Sequence, residues 1–104
     1  MYVIQLNEIG TVVTVLNRDV VEEVDKICST FMEYLRKYNL IEEVKNCLFS
    51  WRDKVMISLD FCTSYCGGDV KCIDVCGEVI ESILTSKCNK SRIKVPHLIE
   101  VTTQ

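Results

Sequence analysis

Cys62, Cys66, Cys72 and Cys76 form two C-x3-C pairs separated by five residues, a pattern of sulfur that supports more than one chemistry. Oxidised, the four thiols make two disulfides. As thiolates they supply the all-cysteine set that zinc or an iron-sulfur cluster takes. Reduced and buried, they pack as small hydrophobes. The choice depends on the elements that carry them.

Ile41, Val44, Leu48, Trp51, Val55, Leu59 and Cys62 recur at steps of three and four, the period of a helix with one buried face. This predicts one long helix over residues 40–66, with Asp53 as the point where a break could fall. Gly67 and Gly68 end it, since glycine enters the left-handed conformation without a Cβ clash. Asp69 then caps a helix whose stripe is Val70, Ile73, Cys76, Ile80, Ile83 and Leu84. The product is an αα-hairpin. Folding it about Asp69 sets Cys66 opposite Cys72 and Cys62 opposite Cys76, three and seven residues to either side. Two nested disulfides fit that geometry, and one four-cysteine metal site on the same residues is the alternative.

Over residues 62–76 the nested arrangement resembles the helical hairpins of twin C-x3-C proteins, such as the small chaperones of the mitochondrial intermembrane space. What this resemblance implies is stapling geometry, and no chaperone role is carried over. Cysteine pairs at i and i+4 also resemble those of copper-storage bundles, which repeat the motif many times. Of the other cysteines, Cys28 and Cys47 lie in helical stripes and read as buried small hydrophobes. Cys88, read as lying in a polar loop, is the expected unpaired thiol.

With 104 residues the chain makes a single domain over 1–104, large enough to fold without staples. No basic segment followed by an apolar one opens the sequence, so an intracellular, cytoplasmic protein is expected. No stretch is apolar enough to span a bilayer, although 48% of residues are hydrophobic. Disulfides in such a protein point to a hyperthermophile, to a virus infecting one and acting in its host's cytoplasm, or to processing that has removed an export signal. A formal net charge of -3 disfavours a nucleic-acid partner. Lys87, Lys90, Arg92 and Lys94 are the local exception, a candidate contact for phosphate or an acidic partner, and a nucleic-acid-associated regulator acting through them is a further alternative. Their preferred role is to complement a helix C-terminus and guard an edge strand.

The elements around the hairpin follow from pattern. Residues 2–6 and 11–16 read as strands joined by a loop in which Gly10 takes a positive φ. A helix capped by Asn17 or Asp19 follows, with Val24, Ile27, Cys28, Phe31 and Leu35 on its core face and Asn39 at its close. Residues 92–101 read as a third strand with Pro96 at an edge or bulge. The expected fold is α+β in the order β-β-α-α-α-β. Its uncovered edge or face predicts a homodimer.

Catalytic signals are weak. His97 is the single histidine and reads as structural; Asp74, Glu78 and Glu81 read as a solvated helix face. A C-x3-C pair inside a helix lacks the strand-to-helix setting of a thiol redox enzyme. The expectation is a non-enzymatic interaction protein without a cofactor, with a protein partner of unknown identity and no membrane association.

Overall fold

The computed structural model describes residues 2–89, 93–95 and 99–103. Its fold is α+β. Strands β1 (Tyr2–Leu6) and β2 (Thr11–Val15) lead through a 3-10 turn (Arg18–Val20) to helices α1 (Val21–Lys37), α2 (Ile41–Lys45), α3 (Trp51–Cys66) and α4 (Val70–Asn89). Strands β3 (Ile93–Val95) and β4 (Ile99–Thr103) complete an antiparallel sheet of order β1-β2-β4-β3.

Local chemistry sets most boundaries. Gly10 takes φ 70° and donates its N–H to the Leu6 carbonyl at 2.9 Å, turning β1 into β2. Asn17 accepts the Asp19 N–H through Oδ1 at 2.9 Å, so Asn17 is the cap that starts the helical run. Asn39, at φ 58°, ends α1 in the left-handed conformation. The Leu40 N–H then reaches back to the Leu35 carbonyl at 2.8 Å.

Two expected elements divide. The helix expected over residues 40–66 breaks after α2, where Cys47 takes φ 57° and the Leu48 N–H returns to the Glu43 carbonyl at 3.0 Å. Ser50 then opens α3 with a capping box: its Oγ accepts the Asp53 N–H at 3.1 Å, and the Asp53 carboxylate accepts the Ser50 N–H at 3.3 Å. Asp53 therefore does mark the break, as the third residue of a new helix. The single C-terminal strand likewise becomes two. β4 pairs with β2 through Val13 and Val101, and β3 pairs with the other side of β4. Pro96, which has no N–H for a ladder, falls in sequence between the two strands and outside the described residues.

The core lies on one face of the sheet. Thr11, Val13 and Val15 of β2 are buried while Val12 and Thr14 between them are half-buried, the alternation of a sheet covered on one side. Val24, Ile27, Phe31 and Leu35 of α1 meet Val79, Ile80, Ile83 and Leu84 of α4 over this face. Helix α3 lies outside that layer, packed mainly on α4, with Phe61 edge-on to Phe31 of α1 at 5.1 Å between centroids. Among the described residues no helix is long and apolar enough to cross a membrane.

Candidate functional site

Helices α3 and α4 are antiparallel because of the turn between them. Gly67 takes φ 65° and gives its N–H to the Thr63 carbonyl, closing α3. Asp69 Oδ1 accepts the N–H groups of Lys71 and Cys72 at 3.0 and 3.3 Å, opening α4. This brings Cys66 opposite Cys72 and Cys62 opposite Cys76, with Cα atoms 5.6 and 5.8 Å apart and the sulfurs at disulfide-bonding distance. The four sulfurs face one another two by two. Among the described residues no group of three or more His, Cys, Asp or Glu is arranged to hold a metal ion.

A third pair went unforeseen. Cys47 and Cys88 also stand at disulfide-bonding distance, with Cα atoms 5.5 Å apart. Cys88, expected in a polar loop, belongs to α4 because that helix runs on to Asn89. Cys47, expected to be buried, is exposed because the end of α2 turns it outward. The sequence did hold a signal, since the two cysteines lie 22 and 19 residues either side of Asp69, extending the near-symmetry of the inner pairs. Cys28 alone is unpaired and is fully buried. Burial, and then the charge of Asp25, push its thiol up to about 12, so it is a neutral core group.

The stapled segment also displays apolar surface. Trp51 is 79% exposed, Val70 78%, Leu48 66%, Met56 60% and Leu59 53%. Beside them a groove of about 270 Å³ runs between the two helices. Val55 and Leu59 line it from α3, and Asp74, Gly77, Glu78 and Glu81 line it from α4. Asp74 and Glu81 are exposed as expected of a solvated face, but Glu78 is half-buried with Oε2 out of solvent.

A second groove, of about 460 Å³, opens between α1 and α3. Rings from both helices form a ladder in it: Tyr38 to Tyr34 at 4.8 Å, Tyr34 to Phe61 at 5.5 Å and Phe61 to Tyr65 at 5.7 Å. The Tyr34 hydroxyl donates to Asp60 Oδ2 at 2.9 Å, and Lys37 Nζ sits 5.5 Å from the Tyr38 ring centroid. Burial, then the bond to Asp60, push the Tyr34 hydroxyl up to about 12. The i, i+4 spacing of Tyr34 with Tyr38 and of Phe61 with Tyr65 is the sequence signal for this ladder.

Elsewhere, Arg36 Nε donates to Glu8 at 3.0 Å and ties the β1–β2 turn to α1. That hydrogen bond holds the Glu8 carboxyl below its usual value. Of the basic candidates, Lys87 lies on α4 and Lys94 on β3. Lys90, Arg92 and His97 lie outside the described residues. No protein-family model, curated protein or solved structure matches the chain.

Proposed function

We propose that the chain is a non-enzymatic, disulfide-stabilised interaction protein that assembles as a homodimer through α3. One observation carries this reading: the most exposed large apolar side chains sit on the segment that six of the seven cysteines hold together. Among them Met56 and Leu59 lie three residues apart on one face of α3, and exposed apolar side chains gathered on one face mark a contact surface. Cross-linking its scaffold lowers the conformational entropy lost on docking.

The patch suits a second copy of itself. Arg52 is exposed among Met56 and Leu59 on α3, while the adjoining α4 rim carries Asp74 and Glu81. A two-fold arrangement lays α3 of each copy along the groove of the other, with Leu59 and Met56 inward and Arg52 against the acidic rim. Such a patch is self-complementary, as a closed dimer requires. Three closed bridges in the cytoplasm would suit a hyperthermophile or a virus of one, and an oxidising compartment is the other setting that sustains them.

Intact mass under non-reducing conditions should fall six hydrogens below that of the reduced chain, one pair for each bridge. Sedimentation at micromolar concentration should give a dimer. Arg52→Glu and Glu81→Arg should each weaken it, and their combination should restore it. A monomer that persists at millimolar concentration would sink the self-association.

A further inference from the structure

The groove between α1 and α3 is independent of the proposed dimer surface, and its lining is distinctive. Four rings, Tyr34, Tyr38, Phe61 and Tyr65, meet two carboxylates, Glu33 of α1 and Asp60 of α3. We propose that this groove is a binding site for a guanidinium group, stacked on the tyrosine rings and hydrogen-bonded to Asp60.

Ring faces carry negative potential and attract cations. The groove already displays that attraction, because Lys37 of α1 holds its ammonium over the Tyr38 ring. A guanidinium suits the remaining space better than a second ammonium. It is planar, weakly hydrated and able to stack on an aromatic ring while its N–H fork meets a carboxylate. Asp60 is oriented for that role: Oδ2 accepts from Tyr34, leaving Oδ1 as an acceptor. With its hydroxyl titrating only at about 12, Tyr34 stays a neutral donor at pH 7 and adds no charge of its own. Glu33 adds a second negative charge at the rim, and Glu23 is close enough to help raise the Tyr65 hydroxyl, after burial. The volume of about 460 Å³ is that of an ordinary small-ligand site.

Lys37 makes the idea sharply testable, since it is both a like charge and the internal occupant of the Tyr38 ring. Removing it should favour an external cation and disfavour an anion. The test is a titration of the oxidised full chain, followed by tyrosine ring resonances, with butylguanidinium, butylammonium and the capped tripeptide acetyl-Gly-Arg-Gly-amide. Butylguanidinium should bind more tightly than butylammonium. Lys37→Gln should tighten guanidinium binding by about threefold, and Tyr38→Leu should weaken it by about as much. Asp60→Asn keeps an acceptor for Tyr34 but loses the charge, and should weaken binding by about tenfold. Glu33→Gln, at an exposed position, should weaken it by about twofold. Tighter binding of the tripeptide would identify an arginine of a polypeptide as the source, and equal binding a free guanidinium compound; both uphold the site. Unmoved tyrosine resonances at tens of millimolar probe, equal or better binding of butylammonium, or weaker binding by Lys37→Gln would overturn it.

Discussion

Helices α1 and α3 have 17 and 16 residues, yet they are secured in opposite ways. α1 buries Val24, Ile27, Cys28, Phe31, Met32 and Leu35, a continuous apolar stripe, and no bridge touches it. α3 buries only Ser58, Phe61 and Cys62, one of them polar, and turns Met56 and Leu59 to solvent. Its C-terminal end carries two cysteine pairs to α4, and a third pair anchors the chain just ahead of it. The cysteine pairs placed for disulfides therefore sit where the hydrophobic core is thin. A helix with an exposed apolar face gives up some of the burial that would hold it in place, and cross-links restore order by restricting the unfolded chain instead. The result is a helix tied at both ends with an apolar outer face left exposed.

Removing the bridges one at a time is the strongest way to break this contrast. In the chain-entropy account the loss grows with the loop closed. Cys47→Ser, opening a separation of 41 residues, should cost about 4 kcal/mol. Cys62→Ser, with 14, should cost about 3 kcal/mol, and Cys66→Ser, with 6, about 2 kcal/mol. Each should equal its partner's substitution and the corresponding double mutant in urea denaturation. Additive losses within a pair would contradict the pairing. Amide exchange should speed up in α3 before it does in α1.

A cysteine in the other region should behave differently. Cys28→Ser buries a hydroxyl in the apolar core and should cost about 1–3 kcal/mol, with no coupling to any other cysteine. Its thiol should resist alkylation until the protein unfolds. Because the folded value is raised from 9.0 to about 12, the associated stability is complete below pH 9 and is lost as pH climbs toward 12. Loss of stability with falling pH in a Cys28-specific comparison would contradict the burial.

The smallest effect belongs to the exposed Glu8–Arg36 pair. Its carboxyl is held below 4.5, so its contribution is present above that value and is lost as pH falls through the lowered one. Arg36→Ala should reduce the acid sensitivity of thermal unfolding slightly, and the difference should shrink in high salt. A salt-independent difference would mean that Arg36 acts by packing.

What could be read in the sequence was local. Gly10, Asn39, Gly67 and Asp69 each terminate or cap an element through their own backbone or side-chain chemistry, so a few neighbouring residues identify them. The positions of Cys62, Cys66, Cys72 and Cys76 follow from one turn. The Cys47–Cys88 pair was hidden because in a continuous helix over 40–66 Cys47 falls on the buried stripe, and only the end of α2, where Cys47 itself takes a positive φ, turns it outward. That break was itself obscured because Leu48 and Trp51 keep helical spacing while pointing into solvent. An exposed apolar residue at helical spacing looks the same in a sequence as a buried one. The split into β3 and β4 was masked because Ile93 and Val95 of one strand and Ile99 and Val101 of the other fall at the same parity and so read as a single strand.

The three cysteine pairs are nested, each enclosed by the next like parentheses around the Gly67 turn. This determines how the molecule answers mechanical tension. A pull applied from both sides of residues 47–88 passes directly across the Cys47–Cys88 bond and spares the chain between. Strands β1 and β2 lie on one side of that bond in sequence and β3 and β4 on the other, so the sheet takes the load. Under force the sheet would peel apart and lengthen while α3 and α4 stayed slack and folded. The exposed α3 surface would be the last part of the molecule to lose its shape.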